Sequence, residues 1–154
     1  MLDAITLRHR ITRIIAATRF PFVDQESWGK DHQTIVNDEV RRYAINTPYG
    51  VLYPSIIITN DDGSLREIGM VESAEDISED SIPRWKALSD VAPYGREFKK
   101  LFLYVPEGYE AKTLKYFEDE GINFDGIRGY RVESQVLKIL PFKTLNDEYD
   151  DVVT

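Results

Sequence analysis

The sequence predicts an α/β fold, with α and β elements arranged around a mixed sheet, on three observations. A helical period near the N-terminus is followed by β-rich runs separated by turn residues, and then by a segment in which strands and helices alternate. Runs joined by tight turns form antiparallel pairs, whereas strand, helix and strand imply a parallel pair with a right-handed crossover. We therefore expect one domain, residues 1–142, followed by an acidic C-terminal tail, residues 143–154.

The first element is predicted to be an amphipathic helix over residues 4–18. Its apolar and small residues recur at intervals of three and four, which places them on one face of a helix and leaves the arginines mostly on the other. The residues of this predicted inner face are Ala4, Leu7, Ile11, Ile14, Ile15 and Thr18.

A three-stranded antiparallel meander is predicted next, over residues 35–46, 50–59 and 65–73. The first turn contains Pro48 and Gly50, and the second contains Asp62-Gly63, a pair favoured where a tight hairpin needs positive φ. The middle strand contains three consecutive isoleucines, residues 56–58, without polar alternation. We therefore expect it to be covered on both faces.

The remaining elements are predicted to be a helix, a strand, a second helix and final strands. Acids around Ser78 suit a helix start, and apolar residues then repeat along residues 82–91. A strand ending at Pro106 precedes a helix that ends near Gly121, and two extended runs complete the sheet. The residues predicted to face inward are Ile82, Trp85, Leu88 and Val91 in the first of these helices, and Ala111, Leu114 and Phe117 in the second.

Composition limits the classes of function. The chain has no cysteine, so any metal site must use carboxylates, carbonyl oxygens or the two histidines, His9 and His32. The N-terminal residues lack an apolar run of signal-peptide or membrane-span length, which predicts a cytoplasmic protein without a membrane partner. The net charge of −8 disfavours broad nucleic-acid binding, because such binding depends on lysine and arginine.

The first predicted helix is nevertheless compatible with a local basic face. Arg8, Arg10 and Arg13 are candidates for weak contacts with nucleic-acid phosphates. The alternative is a solvated helix face whose charge is balanced by the protein's many acids.

Short motifs lie at the strand ends of this element order. Residues 53–55 read "YPS", residues 68–73 read "IGMVES" and residues 104–108 read "YVPEG". With this order of elements and the Trp85 helix, the chain resembles small prokaryotic members of the PD-(D/E)XK, or restriction-endonuclease-like, superfamily. The resemblance covers about residues 4–133.

The resemblance implies where a nuclease would hold its catalytic groups. In that superfamily an Asp and a second acid bind Mg²⁺ or Mn²⁺, and a Lys two residues further on assists the attacking water. The corresponding positions here are Ser55, Met70 and Glu72, so none has its usual residue. Methionine is a poor ligand for a hard cation, and a neutral serine supplies no charge.

Two hypotheses about function follow from this degenerate motif. The first is a non-catalytic binding or assembly module that needs no cofactor and is compatible with homo-oligomer formation through an aromatic-rich surface. The second is a Mg²⁺- or Mn²⁺-dependent nuclease in which Glu72 binds the metal with a relocated acid. Candidates for that acid are Glu39, Glu67 and Glu75.

Overall fold

A computed structural model of the protein describes residues 4–18, 33–91 and 101–144. These ranges contain three α-helices, a six-stranded sheet and a two-stranded sheet. The helices are α1 (Ala4–Thr18), α2 (Ile82–Val91) and α3 (Glu110–Asp119). The strands are β1 (Gln33–Val36), β2 (Ile45–Thr47), β3 (Gly50–Leu52), β4 (Ile56–Thr59), β5 (Leu65–Val71), β6 (Leu101–Pro106), β7 (Gly126–Glu133) and β8 (Val136–Thr144).

The main sheet is mixed, in the order β1-β4-β5-β6-β7-β8. β5, β6 and β7 run parallel to one another, while β1, β4 and β8 pair antiparallel with their neighbours. The helices α2 and α3 connect the parallel strands, as expected for crossover connections. The predicted α/β class, the mixed sheet and the order of elements are therefore confirmed.

Helices cover both faces of this sheet. Ile11 and Ile15 of α1 pack with Ile56, Phe102 and Tyr104 on one face. The opposite face packs against α2 and α3 in a larger apolar cluster. Its most buried members include Ile57, Ile68, Trp85, Leu88, Leu103, Val105, Phe117 and Ile127. All four residues of β4 are buried, which confirms that this strand is covered on both sides.

The meander is confirmed as β1-β4-β5, but its predicted first two strands, 35–46 and 50–59, are wrong in extent. The main-sheet strand ends at Val36, and β2 and β3 pair only with each other in a separate hairpin. The buried Asn37 side chain causes the break, because its Nδ2 donates hydrogen bonds to the carbonyl oxygens of Tyr43 and Pro54. Its Oδ1 accepts hydrogen bonds from the backbone N–H groups of Arg42 and Tyr43. A side chain thus replaces the ladder bonds that would have continued the strand.

Three predicted inward residues are exposed instead. Leu7 and Ile14 of α1 are 36% and 38% exposed, whereas Thr12 and Ala16 are buried. In α3, Ala111 is exposed and Thr113 is buried, with its hydroxyl donating to the carbonyl oxygen of Tyr109. In each helix the buried stripe is therefore rotated slightly from the predicted one.

The predicted turns are confirmed, but α2 begins at Ile82, four residues after the predicted start at Ser78. Gly63 has a φ of +83°, and Asp62 accepts a hydrogen bond from the backbone N–H of Ser64 in the turn between β4 and β5. The acids before α2 lie in two short 3₁₀ turns, Ala74–Asp76 and Glu79–Ser81. The carboxylate of Asp76 accepts hydrogen bonds from both the backbone N–H and the hydroxyl of Ser73.

Some predictions fall outside the described ranges, namely those for His32 and for the tail beyond residue 144. Strand β8 itself continues to Thr144, two residues past the predicted domain end. Of the helices within the described ranges, none has the length and apolar character needed to cross a membrane.

Candidate functional site

The predicted motif positions lie where β4 begins and β5 ends. Ser55 precedes β4 and is 9% exposed. Its hydroxyl oxygen accepts a 2.9 Å hydrogen bond from the backbone N–H of Val71, the last residue of β5. The serine therefore ties the two strands together at the point where the resemblance places a metal-binding aspartate.

Met70 lies in the apolar cluster between the sheet and helices α2 and α3, and it is 7% exposed. It belongs to the same cluster as Trp85 and Leu88. A flexible thioether fills irregular space in such a core without needing a polar partner. The side chain thus acts as core packing.

Glu72 follows β5 directly, and its carboxylate is enclosed, with the residue only 1% exposed. Its Oε2 atom lies 2.9 Å from Nη2 of Arg84 and accepts a hydrogen bond from the indole Nε1 of Trp85. Both partners come from α2, so the two-residue spacing does direct Met70 and Glu72 toward the same side of the sheet. The negative charge of Glu72 is neutralised by a cation of the protein itself.

The backbone of Glu72 also forms hydrogen bonds, in addition to those of its side chain. Its N–H donates to the carbonyl oxygen of Tyr104, and its own carbonyl oxygen accepts a 2.6 Å hydrogen bond from the hydroxyl of Tyr130. Burial raises the pKa of Tyr130, and the nearby negative charge of Glu72 raises it further. The phenol therefore remains protonated and continues to donate this hydrogen bond across the ordinary pH range.

The acids considered as relocated ligands are paired with cations or lie apart. Glu39 lies 2.8 Å from Nη1 of Arg13, and Glu67 lies 3.7 Å from Nε of Arg66. Glu75 is exposed in the first 3₁₀ turn. Within residues 4–18, 33–91 and 101–144, no three His, Asp or Glu side chains come together as a group that could hold a metal ion.

The three candidate arginines of α1 do not form one continuous basic face. Arg8 and Arg10 are two residues apart in a helix, so they project in roughly opposite directions. Arg8 pairs with Asp76 at 3.4 Å, and Arg13 pairs with Asp38 at 3.2 Å and with Glu39. Arg10 is exposed. His9 lies beside Glu39, with 3.5 Å between Nδ1 and Oε1.

Around Asp38, cations and backbone donors stabilise the ionised carboxylate. The backbone N–H of Val40 and the guanidinium groups of Arg42 and Arg13 lower the pKa of Asp38 to about 2. This cluster joins α1 to the segment that leaves β1. The carboxylate of Asp38 therefore forms ion pairs with the guanidinium groups of both Arg13 and Arg42.

Sequence reasoning missed the partners of Glu72. Trp85 was predicted as a core residue from its apolar period, but the hydrogen bond from its indole was not predicted. A buried tryptophan usually needs an acceptor for its N–H, and this requirement is the signal that could have indicated a buried carboxylate. Arg84 and Tyr130 carried no comparable signal, because their contacts join segments distant in sequence.

Comparison of the chain with protein-family models, curated proteins and solved structures found no match. Membership of the restriction-endonuclease-like superfamily is therefore a proposal.

Proposed function

We propose that this protein is a non-catalytic binding module with a restriction-endonuclease-like fold. One observation carries the proposal: the carboxylate of Glu72, the remaining acid of the predicted motif, pairs with Arg84 and accepts the indole hydrogen bond of Trp85. A metal ion at this carboxylate would lie next to the Arg84 guanidinium, and like charges at such distances repel strongly where water is excluded.

The other two motif positions support the same proposal. The Ser55 hydroxyl is bonded to the backbone of Val71, and Met70 is part of the apolar core. Magnesium and manganese sites in nucleases need oxygen ligands that converge on open space. Here each of the three side chains has a structural role instead.

The experiment is a cleavage and metal-binding assay on the purified protein. We expect no hydrolysis of duplex or single-stranded DNA or RNA with Mg²⁺ or Mn²⁺. We also expect Mn²⁺ to leave the melting temperature unchanged. The matched variants are Glu72→Gln and Glu75→Gln, the second an exposed acid three residues away.

Metal-dependent cleavage that is abolished in Glu72→Gln and retained in Glu75→Gln would contradict the proposal. It would support instead the alternative of a Mg²⁺- or Mn²⁺-dependent nuclease with a relocated acid. Cleavage that survives both substitutions would point to a contaminating nuclease and leave Glu72 in its structural role.

A further inference from the structure

A cleft lies at the carboxyl ends of the three parallel strands, on the side of the sheet covered by α1. It is lined where β5, β6 and β7 end, by Ser73, Pro106 and Arg131 among others, and by Leu7 and Arg8 of α1. In open α/β sheets, ligands characteristically bind at this end of the strands. The cleft has a volume of about 420 Å³, which lies in the range of small-molecule sites.

Most of the cleft surface is apolar. Leu7 and Ile11 of α1 line one side, and Pro106 and Val132 line the other. Leu7 is 36% exposed and Val132 is 47% exposed, so both retain surface that a ligand can cover. Tyr130, whose hydroxyl is bonded to the carbonyl oxygen of Glu72, also lines the cleft. These residues suit a ligand with an apolar body.

Two arginines line the same cleft from different elements. Arg8 belongs to α1 and Arg131 to β7. Among the described residues, the Arg8 side chain has one partner, the carboxylate of Asp76, at the long distance of 3.4 Å. The Arg131 guanidinium donates from Nη1 to Glu107 and from Nε to Glu133, each at 3.0 Å. Each guanidinium therefore keeps N–H donors for a further acceptor.

The unused N–H donors of the two guanidinium groups are the polar groups that the cleft offers to a ligand. Three carboxylates contact these guanidinium groups: Glu107 on the cleft wall, and Asp76 and Glu133 outside the lining. The acids outnumber the arginines, so the fit to an anion rests on the geometry of the open donors and not on net charge. A planar guanidinium with open donors matches the two oxygens of a carboxylate.

We propose that this cleft binds a small amphipathic carboxylate, with the carboxylate on Arg8 and Arg131 and the apolar body against Leu7, Ile11 and Val132. The inference rests on the proposed function, since it gives the binding module its class of ligand. Neither Glu72 nor any metal takes part in it.

The test uses octanoate as the probe and calorimetric titration of the full chain. We expect saturable octanoate binding, and no saturable binding of 1-octanol, which has the same apolar body without the charge. Butyrate, which keeps the carboxylate and shortens the body, should bind at least tenfold more weakly than octanoate. Arg8→Gln and Arg131→Gln should each weaken octanoate binding about tenfold, the loss expected for one charged hydrogen bond. Arg10→Gln is the matched control from α1 and should bind as the wild type does.

Three results would overturn the inference. They are no saturable binding at octanoate concentrations up to about 10 mM, binding of octanol as tight as that of octanoate, or equal losses of octanoate affinity in Arg10→Gln and Arg8→Gln. Circular dichroism of each variant checks its folding, and the comparison of octanoate with octanol on the unmodified protein holds even if one variant fails to fold. Metal-dependent cleavage of nucleic acid would contradict the proposed function and leave these titrations unaffected. The proposed function and the inference about the cleft ligand can therefore be refuted independently.

Discussion

The indole nitrogen of Trp85 donates a hydrogen bond to the carboxylate of Glu72, joining the first turn of α2 to the residue that follows β5. Arg84, the neighbour of Trp85, pairs with the same carboxylate oxygen. The strand end and the crossover helix are thus connected through one buried acid. The acid that the sequence marks as a catalytic candidate stabilises the junction of two elements.

Removing this acid should destabilise the protein strongly. We expect Glu72→Ala to lower the free energy of unfolding by about 3 kcal/mol, because it leaves the buried Trp85 N–H and the partly buried Arg84 charge without their partner. Denaturant unfolding followed by circular dichroism measures this change. The control is Glu75→Ala, an exposed acid, for which a change within about 0.5 kcal/mol is expected. Equal effects of the two substitutions would contradict the structural role of Glu72.

Placing an acid at position 70 should destabilise the fold. Met70→Glu places a carboxylate in the apolar cluster around Trp85, so we expect a loss of about 3 kcal/mol or more of unfolding free energy. Met70→Leu keeps size and polarity and should cost less than about 1.5 kcal/mol. Thermal unfolding of the two variants side by side gives the comparison. A Met70→Glu variant as stable as Met70→Leu would show that the position is open to water.

Removing the Asn37 side chain should destabilise the protein strongly, although the side chain is small. Asn37→Ala leaves the carbonyl oxygens of Tyr43 and Pro54 and two backbone N–H groups without this partner. We expect a loss of about 2–3 kcal/mol of unfolding free energy. Asn46→Ala changes an exposed asparagine in β2 and should be nearly neutral. Chemical denaturation of both variants tests the difference, and a neutral Asn37→Ala would refute the account of the strand break.

Asp38 should make stability depend on pH at the acid end. Its folded pKa of about 2 lies below the ordinary value of 3.8, so its stabilising effect is complete above the ordinary value and is lost as the pH falls toward 2. We therefore expect wild type to exceed Asp38→Asn in stability by a constant amount at neutral and mildly acidic pH. The difference should shrink below a pH of about 4. Urea midpoints of both proteins across this range measure it, and a difference that grows on acidification would have the wrong sign.

Gly129 and Glu110 should be energetically coupled. A Cβ atom at Gly129 of β7 would meet the Glu110 carboxylate, which accepts a 2.6 Å hydrogen bond from the backbone N–H of Gly108. Gly129→Ala must therefore displace Glu110 and weaken the turn before α3. In a double-mutant cycle with Glu110→Ala, we expect the combined loss of stability to be smaller than the sum of the single losses by at least about 0.5 kcal/mol. Additive losses would mean that the two side chains do not compete for this space.

The sequence predicts the framework of the fold well where the signal is local. The three isoleucines of β4, the Asp62-Gly63 turn and the apolar period of α2 each depend on residues close together in the chain. The turn of the β2–β3 hairpin was predicted, but its separation from the main sheet was not, because the bonds that divide it from β1 come from one asparagine side chain to residues 5 to 17 positions away. A pattern of apolar and polar residues does not predict such side-chain hydrogen bonds.

The candidate site also depends on contacts between distant segments that the sequence does not predict. The resemblance places Ser55, Met70 and Glu72 together at one end of the sheet, and the structure does bring Ser55 to the end of β5. Whether Glu72 meets a metal, water or a guanidinium depends on Arg84, and the position of Arg84 is set by the packing of α2 on the sheet. Charge and spacing alone do not determine that partner.

The β2–β3 hairpin offers a practical point of attachment. Its ladder bonds are internal, the turn between Thr47 and Gly50 is exposed, and only its base, at Ile45 and Leu52, packs on the core. Chain inserted between Pro48 and Tyr49 would leave the pairing of the six-stranded sheet intact. An epitope tag or a fluorophore placed there would report on the protein while keeping both the Glu72 junction and the strand-end cleft unmodified.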